Sequence, residues 1–526
     1  MLRLSCILPL RCDQIRRSES IAFIYTDAPM SVRFNPTLRL RYARRACAPF
    51  IVALMSVLLG VGCDEDPTGP PPIVIPGPGE AIVYSTHIEP LWLNSCAGSG
   101  CHVGAGAVTP VLDTWEALME ESQNAGQVVP FAAHRSHLFQ HVNTDTTLGP
   151  IASPHMPLSR DALPMEQILL IKRWIDEGAR NDGGEIALSG ESRPRLFVTC
   201  QSEDVVAAID LATESVMRYI AVGERPDATT PPEAPHNIAL SPDGRAFYVN
   251  LIVSGVVEKY DARTFAKLGS TTVGLSPAQI RISADGSTLY VSNFDLTFQQ
   301  QFISIVDAAS MGSPTNIEVE GYAPHGITLD PNGELLYTMN AGSDDISVVD
   351  LGTREVLAHI PIIPGTPAAA AGSAVHEPYQ GEIGADGHLY VTCRKSGQVR
   401  VVDLTSRRVI DSITVGRRPL IGAMTPDGGE FWVPNQADNT VSIIDVGSRT
   451  VVRTLTGMQQ QPHAVAFTDD GARAFVTCEN QQGGGHHPLE GTDVAPGIVY
   501  TIETATFSIE RMIEVAGFAA GIAVGR

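Results

Sequence analysis

Basic side chains are scarce in this chain of 526 residues, with 36 Lys and Arg against 58 Asp and Glu. Residues 1–62 hold nine of the arginines and three of the acids, so the remainder carries 27 basic and 55 acidic side chains, a formal charge of −28. Such a body repels phosphate backbones, which excludes nucleic acid as a partner. Long apolar runs are missing as well: the 13 residues Phe50 to Gly62 are too few for a spanning helix. No arrangement resembles a hydrolytic triad. No glycine-rich turn leads from a strand into a helix, because Gly483-Gly484-Gly485 falls inside a strand-rich repeat, where a phosphate cradle is not expected.

What is present begins with Cys96-Ala-Gly-Ser-Gly-Cys101-His102. Two thiols followed directly by an imidazole form the arrangement by which c-type haem is attached. The thiols add across the vinyl groups and the histidine becomes the proximal iron ligand. The usual spacing is C-x-x-C-H, and here four residues separate the cysteines. A small-loop disulfide between Cys96 and Cys101 is the competing reading in an exported protein. Met156, 54 residues after His102 in His155-Met156-Pro157, supplies a thioether of the kind that serves as sixth ligand, with His155 a competing ligand beside it. An apolar segment with Ile88, Leu91 and Trp92 precedes the thiols. Met165 to Gly178 reads as a helix opened by Pro164 and closed by Gly178. Helix, haem motif, methionine loop and closing helix together resemble a class I bacterial cytochrome c, which implies a small all-α domain over residues 81–183 with one covalent haem.

Haem attachment requires export, and the N-terminus supplies a signal. Arg39, Arg41, Arg44 and Arg45 precede the apolar run, which ends in Leu-Gly-Val-Gly-Cys63. Cys63 resembles the lipidated cysteine of bacterial lipoproteins, although Gly60 stands where such signals usually carry leucine; an ordinary cleaved signal is the other reading. Residues 1–62 are thus a signal region, which fits a start at Met30 better than one at Met1. Residues 63–80 are a Pro/Gly-rich tether. The resemblance implies a periplasmic or outer-membrane-surface protein held at the membrane by its lipid anchor.

From residue 195 to 526, beyond a linker at 184–194, a four-part unit recurs every 42 to 53 residues. Its second strand aligns as Leu196-Phe-Val-Thr-Cys200, Phe247-Tyr-Val-Asn250, Leu289-Tyr-Val-Ser-Asn293, Leu336-Tyr-Thr-Met-Asn340, Leu389-Tyr-Val-Thr-Cys393, Phe431-Trp-Val-Pro-Asn435 and Phe475-Val-Thr-Cys478. Asp-Gly or Asn-Gly precedes this strand in six units, supplying the positive φ of tight hairpins. The pattern resembles the YVTN-type seven-bladed β-propellers, so the fold class is multidomain, a small all-α cytochrome followed by an all-β propeller. The chain enters at a second strand and ends on an orphan first strand, Gly517 to Val524, so both termini build one blade.

Long links at 224–236, 294–301, 364–379 and 479–497 all open on one face, where insertions mark binding. The same face carries His236, His325 and His463, each after a proline, with Tyr379 at the matching point of a fourth blade, and His376, His486 and His487 in the inserts. Three imidazoles with no carboxylate or thiolate partner in the motif are a poor metal signature, so a second metal is not expected there. Cys200, Cys393 and Cys478 share one strand position and read as buried thiols in place of the family's asparagine. The expected function is electron transfer, with the propeller docking a redox partner protein or small-molecule substrate on its long-loop face. A haem-linked dehydrogenase or oxidase using the channel mouth, and a non-redox binding propeller with a Cys96–Cys101 disulfide, are the alternatives. Because the linker is at most about 40 Å when extended, the haem is expected at the short-turn face or the side of the propeller.

Overall fold

The computed structural model describes residues 69–98, 100–121, 126–190, 193–224, 231–483 and 489–525. Cys63, Met30, His486 and His487 lie outside them. Seven four-stranded antiparallel sheets form the propeller. Blade 1 pairs the C-terminal strand Ala519–Gly525 with Arg195–Cys200, followed outward by Val205–Asp210 and Ser215–Ala221. Blades 2 to 6 are consecutive, starting at Pro235, Pro277, Pro324, Pro378 and Ala423. Blade 7 runs Pro462–Phe467, Arg473–Cys478, Gly497–Glu503 and Ser508–Val515.

The repeated residues have visible local work. Gly244, Gly286, Gly333, Gly387, Gly428 and Gly471, the six glycines of the Asp-Gly and Asn-Gly turns, all sit at φ between 68° and 74°. The acid ending each third strand caps the next turn. Asp210 accepts from the Thr213 amide at 2.8 Å, Asp307 from Ser310 at 2.8 Å and Asp445 from Ser448 at 2.7 Å. The hydroxyl in the second strand reaches the innermost strand of the following blade. Thr199 donates to the His236 carbonyl at 2.9 Å, Thr392 to Leu420 at 2.8 Å and Thr477 to Ala520 at 2.7 Å. Cys200, Cys393 and Cys478 are free thiols, fully buried, and burial pushes their pKa values up.

Ahead of the propeller lie a π-helical turn, Tyr84–Ile88, and four helices: α1 (Glu89–Ser95), α2 (Trp115–Met119), α3 (His137–Val142) and α4 (Met165–Asp176). Helix α4 follows Pro164, buries Ile168, Ile171, Trp174 and Ile175, and gives way to Gly178 at φ 106°. A Cβ on Gly178 would meet the Phe131 ring at 2.8 Å. Two indoles tie the end of α4 down: Trp115 Nε1 donates to the Ala179 carbonyl at 2.7 Å and Trp174 Nε1 to Arg180 at 3.0 Å.

The helical region is not held at a distance. Val129 and Ala132 pack in one apolar cluster with Leu196, Val216 and Ile513, and Arg135 pairs with Glu203 at 2.6 Å beneath the Tyr219 ring. Residues of the expected linker, Ala187 and Leu188, are buried. Part of the expected tether is also laid down, since Asn94 donates to the Pro71 carbonyl at 2.9 Å and Ile73 packs against the helices. A proline-rich segment builds no core of its own, but its free carbonyls and Ile73 still find partners on α1 and its neighbours. The blade 7 insert pairs Leu489 and Glu490 with Ala152 and Ile151.

Removing residues 519–526 should strip blade 1 of its innermost strand and open the ring at Arg195–Cys200. Thermal unfolding followed by far-ultraviolet circular dichroism should lose its cooperative transition; a melting curve like that of the full chain would count against closure as the stabilising feature.

Candidate functional site

Two groups of functional side chains emerge. The first surrounds a cavity of about 600 Å³ between the helical region and the propeller. Cys96, His102 and Met156, separated by up to 60 positions, all line it, as do Trp92, Leu112 and His141.

The loop carrying the thiols is closed by its own backbone. The His102 amide donates to the Cys96 carbonyl at 3.0 Å, and the Cys101 amide to Gly98 at 3.0 Å. Gly98 and Gly100 stand at φ 136° and 74°, conformations that side chains disfavour, which is how two extra residues are absorbed between the cysteines. Arg160 grips both flanks, donating to the carbonyls of Ser95 at 3.1 Å and Ala97 at 3.0 Å. Cys96 and Cys101 are both free thiols, so the expected alternative of a disulfide between them is not what the structure holds. Burial pushes the Cys96 thiol up to about 11, with Arg160 opposing. Cys101 is half-buried beside the cavity and is not among its lining residues.

His102 Nδ1 lies 3.0 Å from the Pro110 carbonyl. A carbonyl only accepts, so Nδ1 carries the proton and Nε2 keeps its lone pair for a ligand, the arrangement that orients metal-binding imidazoles. His155 is differently committed: its Nε2 donates to the Asn143 carbonyl at 2.6 Å and its side chain lies outside the cavity lining. The structure therefore brings Met156, not His155, to the cavity. It also brings His141, whose Nδ1 donates to the Pro154 carbonyl at 2.7 Å. Sequence reasoning missed His141. The only available signal is its place two residues before Asn143, which holds the loop through Gly149 at 2.9 Å.

The second group sits at the channel mouth. His236, His325 and His463 come from nonadjacent blades yet meet, with ring centroids 6.0 Å apart for His236–His325 and 5.3 Å for His236–His463, all buried. Each Nδ1 is spoken for: Gln201 Oε1 at 3.1 Å, the Tyr379 carbonyl at 2.9 Å, and Glu479 at 2.7 Å. His463 Nε2 is buried without a partner. The Tyr379 ring stacks on His325 at 3.5 Å under Arg394. Glu479, which the sequence reading placed only at the start of a long link, is the carboxylate the histidines were expected to lack, and it also accepts from Gln436 and Gln481. Its signal was positional. The residue just after the second strand faces the mouth in five blades, as Gln201, Phe294, Arg394, Gln436 and Glu479. Among the described residues no group of three or more His, Cys, Asp or Glu is arranged to hold a metal ion. His376 lies apart, beside Arg400 at 3.4 Å. Burial pulls His236 down to about 3 and His325 well below the usual histidine range, so both are neutral at physiological pH.

Comparisons agree with the fold. Residues 191–357 match the family of lactonases with a seven-bladed β-propeller, and residues 278–483 match a repeat of unknown function. The uncharacterized protein YncE of Salmonella typhimurium is 24% identical over 208 residues, covering 39% of this chain and 55% of YncE. Antigen Lp49 of Leptospira interrogans is 21% identical over 231 residues, covering 43% of this chain and 48% of the antigen. The chain thus spans about half the length of the curated relatives it matches. Among solved structures, the periplasmic gluconolactonase PpgL of Pseudomonas aeruginosa is similar at 18% identity with a TM-score of 0.49, over 64% of this chain and 99% of that one. The dihydro-haem d1 dehydrogenase NirN is similar at 14% identity with a TM-score of 0.44, over 70% of this chain and 88% of that one. No helix among the described residues is long and apolar enough to cross a membrane.

Two outcomes follow from the mouth. Glu479→Ala leaves the donors of His463 and Gln436 buried without an acceptor, at a cost on the order of 1–3 kcal/mol for each group stranded. Chemical denaturation should register it, and an unchanged midpoint would show that the carboxylate is dispensable. His236, neutral when folded down to about pH 3 and titrating near ~6.5 when unfolded, binds its proton only in the unfolded chain between those values. Stability should therefore fall as pH drops from about 6.5 to 5, and His236→Gln should reduce proton uptake on unfolding at about pH 5 by roughly one. Equal pH slopes for both proteins would contradict this.

Proposed function

We propose that the chain is an exported c-type haem protein of electron transfer. Cys96 and Cys101 would hold the haem through thioethers, and His102 and Met156 would ligate its iron. The observation that carries the reading is the cavity of about 600 Å³ on which Cys96, His102 and Met156 converge. Its volume falls in the range of cofactor pockets, and its apolar lining with a few placed polar groups is what such pockets need. Bound there, haem supplies a one-electron couple that the polypeptide lacks.

The chain's own residues do the rest. The Pro110 carbonyl fixes the His102 tautomer, so that Nε2 rather than Nδ1 is offered. The hydrogen bond from the Met156 amide to the His141 carbonyl, 2.8 Å, anchors the loop presenting the thioether. Trp92, Leu112, Leu138 and Val142 give the cavity an apolar lining, and a thioether ligand in an apolar site raises the potential. Export and a lipid anchor at Cys63 complete the proposal. The propeller's long-loop face, crowded with imidazole, aromatic and amide side chains, would dock the redox partner or small-molecule substrate.

Coexpression with a haem-maturation system tests the reading. The denatured polypeptide should keep its haem and give a c-type pyridine haemochrome; complete loss into acid-acetone would refute it. Met156→Ala should remove the sulfur-to-iron band at the red end of the spectrum and lower the potential. A spectrum unmoved by that change would assign the sixth position to another donor, with His141 the next in the cavity.

A further inference from the structure

The propeller meets the helical region in two ways. Ser215, Val216 and Arg511, from the outermost strands of blades 1 and 7, form a propeller wall of the cavity described above. The second contact is made by an insert. Between the second and third strands, blades 1, 2, 4, 5 and 6 take four residues, 201–204, 252–255, 341–344, 394–397 and 436–439, whereas blade 7 takes eighteen, 479–496. Its return leg, 489–496, reaches the helical region: Leu489 and Glu490 pair antiparallel with Ala152 and Ile151, in the stretch between α3 and Met156.

That stretch, residues 143–156, is tied near its ends by the helical region's own groups. Asn143 Nδ2 donates to the Gly149 carbonyl at 2.9 Å. At the far end the Met156 amide donates to the His141 carbonyl at 2.8 Å and His155 Nε2 to the Asn143 carbonyl at 2.6 Å. Ile151 and Ala152 lie between these ties, and there the strand partner comes from the propeller. The approach is close, since a Cβ on Gly491, whose φ is 88°, would stand 3.2 Å from Thr146 Cγ2. The return leg is in turn fastened to its blade, because Asn480 Nδ2 donates to the Pro496 carbonyl at 2.7 Å. Leu489, Thr492 and Val494 also share a cavity of about 110 Å³ with Pro150 and Arg135.

We infer that the return leg of the blade 7 insert is a positioning strap for the sixth haem ligand: the pairing of Leu489–Glu490 with Ile151–Ala152 sets where the loop presents the Met156 thioether. The inference rests on the haem reading above. Ala152 precedes Met156 by four residues, so a shift of the strand pair is passed to the thioether along at most about 14 Å of chain. Met156 needs such support more than His102 does, because His102 follows a thiol directly whereas Met156 arrives at the end of a loop of fourteen residues. Placement of the thioether governs the potential, which falls when that ligand is lost. The propeller thereby acts on the redox centre without supplying a ligand to it.

Gly491→Val tests this in the full chain, prepared with and without haem maturation. The new side chain meets Thr146 and holds a non-glycine residue at positive φ. In the unloaded protein, amide hydrogen exchange should quicken in residues 145–156 and 489–492 and stay unchanged in blades 2 to 6. In the loaded protein the sulfur-to-iron band should weaken and the potential should fall, with haem still covalently bound. Gly491→Asn combined with Thr146→Gly, which tolerates the positive φ and removes the contact, should return exchange, band and potential to their wild-type values. Gly491→Ala, with the same φ and the same contact, carries the test if the valine variant does not fold. Faster exchange with band and potential unmoved would reduce the pairing to a structural contact and overturn the inference, as would exchange unchanged in residues 145–156. A loaded wild type lacking the band would remove Met156 as a ligand and overturn it as well. A wild-type polypeptide that binds no haem would overturn the haem reading, and this inference with it.

Discussion

The pairing of Ala519–Gly525 with Arg195–Cys200 is the constraint on which the rest of the molecule depends. Without it blade 1 has no innermost strand and the ring has two open edges, each a row of unpaired backbone groups. With it, the outermost strands of blades 1 and 7 become neighbours although they lie some 290 positions apart in sequence. That neighbourhood is the surface on which Val129 and Ala132 pack and toward which the cavity opens.

Blade-to-blade spacing is then held by hydroxyls rather than by loops. Thr199 illustrates the device: it donates to the His236 carbonyl of the next blade and accepts from the Gly521 amide at 2.8 Å, so one side chain joins three strands. Because the clamp acts on the carbonyl of the mouth histidine, closure of the ring and the crowding of imidazoles at its centre have a common cause. Buried rings in edge contact are the consequence, with His236 and His325 held neutral by burial and Glu479 supplying the one carboxylate that His463 needs.

The propeller was legible because its signals are local and repeated: a strand motif, a turn glycine at positive φ, a capping acid. Closure was legible from one incomplete unit. The thiol pair, His102 and Met156 were legible as residue types with a known chemistry, and the convergence of Cys96, His102 and Met156 on a cavity could not be, because it depends on where α3 and the methionine loop fold back. Glu479 escaped because a single acid after a strand means nothing until the strand's face is known. The propeller wall escaped for a stronger reason. Ser215, Val216 and Arg511 belong to outermost strands, which carry no motif and acquire neighbours only through the ring. The inserted hairpin partner Leu489–Glu490 was likewise invisible, since Ile151–Ala152 has only two residues of strand and lies in another part of the chain.

Proteolysis of the denatured, haem-matured protein followed by mass spectrometry tests the central claim most directly. The peptide spanning Cys96 and Cys101 should carry the mass of one haem, with both thiols resistant to alkylation. The same peptide recovered unmodified, with two alkylated thiols or an internal disulfide, would contradict the account.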